Sequence, residues 1–240
     1  MRSQHINADI KFATTRNKIK TTFIDFTAVI ITKIKRLHGK RAQYSVYLDG
    51  SIALELSDWT IGKFGIRTGD ELDEQTVDKL KSVEAESRAK NIAINYLSYR
   101  PRSSKEIIFH LTKKGFEHEC AENVMRHLQS MKMIDDDRFA RTFVRDRMKR
   151  KPTGQVLLRQ QLVAKGIPSV MADEILAELI SPQSQQASAL QAAKRKIQLT
   201  QHVTKKIDAE KRKKRILDFL LRRGFSYEIA LKTIRTTLDH

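Results

Sequence analysis

Apolar residues along the chain change period once, and the change divides it. From Ile30 to Leu56 they alternate: Ile30, Thr32 and Ile34, then Tyr44, Val46 and Leu48, then Ile52, Leu54 and Leu56, with Asp49-Gly50 between the last two sets. Period two predicts a small antiparallel sheet. A two-residue Asp-Gly loop would set Val46 and Ile52 on opposite faces, so a three-residue loop of Leu48, Asp49 and Gly50 is expected. It has Gly50 left-handed, Val46 opposite Ile52 and Tyr44 opposite Leu54. Ser57 then caps a short helix carrying Trp59, Ile61 and Phe64 and ended by Gly65, with Trp59 packed against the sheet. After a turn at Thr68-Gly69-Asp70, helical periodicity runs from Val77 and Leu80 to the C-terminus, with no strand signal beyond about residue 73. Residues 1–28 show little periodicity and are expected to be a disordered extension.

Within the helical region a single template occurs three times, centred on Lys114-Gly115-Phe116, Lys165-Gly166-Ile167 and Arg223-Gly224-Phe225. Eight residues before the glycine stand Ile107, Leu158 and Ile216, and four before it Leu111, Leu162 and Leu220. Five after it come Cys120, Met171 and Ile229, six after it Ala121, Ala172 and Ala230, and ten after it Met125, Leu176 and Ile234. Each glycine therefore caps one amphipathic helix and opens the way to another. A further helix precedes each pair: Ala89 to Leu97, Phe139 to Met148 and, in the third unit, about Ala187 to Ile197. The fold expected is mainly α, with tandem three-helix repeats forming an elongated curved rod behind a small N-terminal cap that contains an antiparallel β-hairpin. Its divisions are residues 1–28 (extension), 29–72 (cap), 73–135, 136–182 and 183–240 (repeats).

Charge gives this scaffold a partner class. Lys and Arg number 46 against 28 Asp and Glu, a formal net charge of +18. Residues 183–240 hold 14 of those basic and only 5 of those acidic side chains, so the excess is greatest there. A polyanion is the expected partner. Cys120 is the lone cysteine, which excludes an internal disulfide framework and a cysteine-rich zinc site. It shares its repeat position with Met171 and Ile229 and reads as a core residue. No apolar run is long enough to span a membrane, and no secretory signal is evident, which fits a cytoplasmic protein. Asp135, Asp136 and Asp137 suit a helix N-terminus; consecutive residues there point apart, which disfavours a metal or nuclease site. Ser103 and Glu106 have capping-box spacing. No phosphate-binding glycine loop is present, and no cofactor is expected.

The order and spacing of several strings resemble the RecX family of recombination regulators. They are Arg100-Pro-Arg-Ser-Ser-Lys-Glu-Ile, Leu111-Thr-Lys-Lys-Gly-Phe, Ile134-Asp-Asp, Phe139-Ala, Val144-Arg-Asp-Arg, Gly154 and Leu162-Val-Ala-Lys-Gly-Ile. The segment from Ile31-Thr-Lys-Ile through Tyr44-Ser-Val-Tyr-Leu-Asp-Gly to Phe64-Gly-Ile and Gly69 fits as well. Gln161-Leu162 departs from the family's frequent Glu-Leu. The resemblance covers about residues 30–182. It implies a non-enzymatic DNA-repair and SOS-response protein that binds the RecA recombinase filament on single-stranded DNA and mainly inhibits its growth, ATP hydrolysis and strand exchange.

Basic side chains near unit junctions and helix ends are the candidate contacts: Arg100, Arg102, Lys113, Lys114, Arg141, Arg145, Lys149, Arg150, Lys151, Arg159, Lys165, Lys205, Lys206, Arg212, Arg215, Arg222 and Arg223. Arg141, Arg145 and Lys149 recur every four residues and predict a basic stripe beside the core seam of one helix. A monomer suffices for this arrangement, and weak sequence-independent DNA binding follows from charge alone. The alternative is a basic helical DNA-binding protein acting directly on nucleic acid. Its aromatic residues form no stacking platform, and no helix carries base-reading side chains at the required spacing.

Overall fold

The computed structural model describes residues 28–37, 43–204 and 208–238, and the chain divides into two compact units after Asp78. Most of the expected N-terminal extension, residues 1–27, together with Lys205 and Lys206, lies outside the described residues.

The first unit holds β1 (Val29–Arg36), β2 (Gln43–Leu48), β3 (Ser51–Ser57), α1 (Asp58–Phe64) and β4 (Glu71–Leu72). The antiparallel sheet has the order β3-β2-β1-β4. Val46, Leu48, Leu54 and Leu56 are buried, as the alternation in β2 and β3 requires, but in β1 the expected face is reversed: Ile31 is buried, while Ile30 is 44% exposed and Thr32 is exposed.

The hairpin register differs from expectation. Leu48 pairs with Ser51 and Tyr47 with Ile52, after which the ladder shifts so that Val46 faces Leu54 and Tyr44 faces Leu56. The loop is thus Asp49-Gly50, both with positive φ (49° and 83°), and the extra residue that parity demands is Ala53 within β3. Strand β1 fixes this choice. Asp49 N–H donates to the Ile30 carbonyl at 3.0 Å, Asp49 Oδ1 accepts from Ile30 N–H at 3.0 Å, and Gly50 N–H donates to Thr32 Oγ1 at 3.0 Å. A matching shift in β1 lies at Thr32. Because Gly50 sits in the left-handed region, Gly50→Ala is expected to destabilise this unit by about 1 kcal/mol. Amide exchange in β2 and β3 measures it; unchanged protection would refute the assigned turn.

Helix α1 has the predicted caps. Ser57 Oγ accepts from Thr60 N–H at 3.3 Å, and Gly65 closes the helix at φ 65°. Trp59, however, is 53% exposed, with Lys63 Nζ 4.8 Å from its ring centroid, and does not pack against the sheet as expected. Thr60 is the fully buried residue of this helix, and on so short an element its neighbour Trp59 projects about 100° away.

Helix α2 (Glu74–Tyr99) runs across the division, and all of it from Lys79 onward belongs to the second unit. There follow α3 (Ser104–Lys113), α4 (His118–Ser130), α5 (Asp136–Arg150), α6 (Gln155–Ala164), α7 (Ser169–Leu179), α8 (Pro182–Thr204), α9 (Ala209–Arg222) and α10 (Tyr227–Leu238). The repeats are α2-α3-α4, α5-α6-α7 and α8-α9-α10. Gly115, Gly166 and Gly224 adopt φ of 90°, 88° and 81°. In each case the next residue's N–H (Phe116, Ile167, Phe225) returns to the carbonyl of Leu111, Leu162 or Leu220, the closing bond of a Schellman motif.

Helix α8 begins five residues before its expected start and extends seven beyond its expected end. Ser181 explains the early start: its Oγ accepts from Ser184 N–H at 3.1 Å, and Pro182 occupies the first helical position.

Within the three repeats, the described buried apolar residues form one cluster each. Ile107, Leu111, Ala121, Val124 and Leu128 centre the first, Leu158, Leu162, Ala172 and Leu176 the second, and Ile216, Leu220, Ala230 and Ile234 the third. Cys120 packs half-buried against the first, and burial together with Glu86 and Glu117 raises its thiol pKa, which keeps it protonated.

Polar and backbone contacts join successive repeats. Ser103 Oγ donates to the Lys165 carbonyl at 2.7 Å, and Gly154 N–H donates to the Arg223 carbonyl at 2.8 Å. Both donors lie twelve residues before their own glycine, and both acceptors lie one residue before the next. Ser103 uses its hydroxyl because Glu106 Oε2 already takes its N–H, completing the predicted capping box.

Candidate functional site

The candidate cations separate into those engaged within the fold and those facing outward. Glu106 collects two of the first kind: Lys165 Nζ at 2.7 Å and Arg100 at 3.1 Å. Burial alone would raise the Glu106 pKa, but hydrogen bonds and charge from Lys165 and Arg100 outweigh it and hold the carboxyl below its ordinary value. Lys165 also lies 5.5 Å from the Phe143 ring centroid.

Arg141 pairs with Asp137 at 2.8 Å and Glu178 at 2.7 Å, and Arg159 grips Asp173 through two nitrogens at 2.6 and 3.0 Å. These hydrogen bonds raise both guanidinium pKa values, and Arg159 lowers that of Asp173. The stripe predicted on α5 is therefore shortened, with Arg141 committed within its own repeat. Asp135 serves as predicted at the start of α5, its Oδ1 accepting from Arg138 N–H at 2.9 Å.

Arg102 is stacked. Its guanidinium lies 3.8 Å from the Tyr96 ring centroid, and His110 lies parallel to Tyr96 at 3.8 Å. Burial, then the charges of Lys114, Arg102 and Lys113, push the His110 pKa down and keep the ring neutral beside them. Arg223 contacts the Pro152 carbonyl at 3.4 Å and the Phe219 ring at 5.2 Å, and Arg212 is half-buried in the first turn of α9.

Lys113, Lys114, Arg145, Lys149, Arg150, Lys151, Arg215 and Arg222 are exposed, and none makes an ion pair among the described residues. Lys113 and Lys114 precede the Gly115 turn, Arg222 precedes the Gly224 turn, and Arg145 to Lys151 run off the end of α5. Lys113, Lys114, Lys149, Arg150, Lys151 and Arg222 thus stand at helix ends, whereas Arg145 and Arg215 lie within α5 and α9.

Sequence reasoning missed Arg195 and Lys196 of α8. With Lys151, Pro152, Phe219 and Arg223 they line a groove of about 580 Å³. The signal available was the Lys194-Arg195-Lys196 run within a helical pattern. Among the described residues, no group of three or more His, Cys, Asp or Glu is placed to hold a metal ion, and no helix is long and apolar enough to cross a membrane.

The fold and its surface define a basic helical-repeat protein. Residues 89–128 match the first three-helix domain of RecX, and residues 135–176 match the second. A regulatory protein RecX from Bacillus licheniformis is 30% identical over 207 residues, covering 86% of this chain and 77% of the relative. Another, from Prosthecochloris aestuarii, is 39% identical over 152 residues, covering 63% of this chain and 92% of the relative. The chain belongs to the RecX family. A crystal structure of regulatory protein RecX superposes with a TM-score of 0.64 at 24% identity, covering 88% of this chain and 98% of that one. RecX from Lactobacillus salivarius gives a TM-score of 0.56 at 27% identity, covering 65% and 98%.

Proposed function

We propose that this protein is a non-enzymatic regulator that binds the RecA recombinase filament on single-stranded DNA and restrains its growth, with coupled loss of ATP hydrolysis and strand exchange. Family membership supports the regulatory role. The observation that carries the contact mode is the set of exposed cations without ion pairs at the ends of α3, α5 and α9. A tandem array offers such positions on each of its repeats, so it can engage several protomers of a helical polymer or the DNA phosphates within it. Sequence-independent DNA contact accompanies this mode, and the protein acts as a cytoplasmic monomer.

The test is DNA-dependent ATP hydrolysis by the cognate recombinase, titrated with this protein well below one copy per protomer, beside a gel shift on DNA alone. Inhibition at low ratio with little binding to bare DNA supports filament recognition. Inhibition that begins only when the DNA is saturated overturns it in favour of direct action on nucleic acid.

Among the exposed cations, Arg145 and Lys149 share one face of α5 and make no ion pair among the described residues. Reversing both to Glu is expected to raise the concentration needed for half-inhibition about tenfold and to reduce its salt dependence. Unchanged inhibition with unchanged helicity would make this face a solvated surface only.

A further inference from the structure

The groove that opens between α8, α9 and the α5–α6 connection has a composition unlike the rest of the surface. Its volume is about 580 Å³, its lining includes Lys151, Arg195, Lys196 and Arg223, and no carboxylate contributes to it. None of the four cations makes an ion pair among the described residues. Four cations without a carboxylate partner around one cavity create a positive local potential that favours an anionic occupant.

The interior of the groove is aliphatic and aromatic. Ala192 and Pro152 form part of its wall, and Leu199, 82% exposed at its edge, continues that apolar lining outward as a lip. Phe219 lies inside, with Lys196 Nζ 5.7 Å and the Arg223 guanidinium 5.2 Å from its ring centroid. A nucleic-acid base would need an aromatic face to stack on, and the aromatic ring in this lining already carries two cations. Anionic groups at the rim and an apolar side chain inside satisfy every feature together.

We propose that this groove docks an acidic peptide segment of a partner protein, with a bulky apolar side chain seated against Leu199 and Phe219 and flanking carboxylates on Lys151, Arg195 and Lys196. The groove takes such a segment whether or not the partner is the recombinase. Electrostatics would draw the segment in, and burial of its apolar side chain would separate it from a merely acidic one.

Fluorescence anisotropy with a labelled peptide, Glu-Asp-Glu-Leu-Phe-Asp-Glu-Asp, tests this against the same peptide with Ser-Ser in place of Leu-Phe and against an oligothymidylate of equal length. The Leu-Phe peptide is expected to bind about tenfold more tightly than the Ser-Ser peptide. The double variant Lys151→Glu, Arg195→Glu is expected to weaken it about tenfold. Leu199→Gln leaves the charge alone and is expected to erase the difference between the two peptides. These positions are exposed, so circular dichroism should match the parent protein. Equal binding of both peptides, binding indifferent to the variants, or an oligothymidylate that binds more tightly than the Leu-Phe peptide and loses as much in the charge variant would overturn the proposal.

Discussion

Gly154→Ala is expected to lower the stability of the second unit by about 3 kcal/mol, with the third repeat released first. Gly154 has φ of −78° and ψ of 158°, a conformation alanine adopts without strain. The obstacle is space: a Cβ there would lie 2.0 Å from the Gly224 carbonyl carbon and 2.1 Å from Phe225 N. Those atoms are backbone, held by Gly154 N–H to the Arg223 carbonyl at 2.8 Å and Val156 N–H to the Gly224 carbonyl at 3.0 Å, so they cannot move without breaking the junction.

Gly115→Ala is the matched control. Its φ is 90°, but nothing lies within 4 Å of the added carbon, so backbone strain of about 1 kcal/mol is the whole cost. Urea titration followed by circular dichroism should show a lower midpoint and a broader transition for Gly154→Ala, as the nearest-neighbour coupling of the third repeat is lost. Equal losses for the two variants would mean that the close approach at Gly154 contributes nothing.

Glu106→Gln is expected to cost about 2 kcal/mol at pH 7, because it leaves Lys165 and Arg100 without their shared carboxylate. The effect must depend on pH. The folded-state pKa of Glu106 is depressed, so the unfolded chain binds a proton more readily and the contribution is present above the unfolded value of about 4.3. It declines as pH falls through the folded pKa. Denaturation of parent and variant between pH 7 and pH 3 should therefore give a stability difference that narrows in acid. A constant difference would assign the loss to packing.

Repetition made the second unit readable. The three glycines are the positions where a helix must turn left-handed, and their spacing to Leu111, Leu162 and Leu220 sets the face that packs. Caps were equally legible at Ser57, Ser103 and Asp135, since a cap is decided within four residues. Parity correctly required one extra residue in the hairpin, but its place was decided by β1, whose Ile30 and Thr32 hold the Asp49-Gly50 turn from 18 and 19 residues away.

The same limit governs the basic residues. Arg141 reads as a surface cation beside Arg145 until α7 brings up Glu178, and Lys165 looks like its counterpart Lys114 until Glu106 arrives from 59 residues away. Repeat neighbours at equivalent positions thus differ in availability. The groove at Phe219 draws on three separated segments, a coincidence no local pattern encodes.

The junction geometry also carries an instruction about counting. The first and second repeats each offer a small residue, Ser103 or Gly154, twelve positions before the glycine, and the following turn settles upon it. The corresponding position of the third repeat is Arg212, and α9 runs 14 residues where α3 and α6 run 10, so its opening turn fills the seat that a successor would need. One additional helical turn therefore acts as a stop mark for this mode of stacking: a duplicated unit grafted behind the third could be tethered, but it would not be read as the next link.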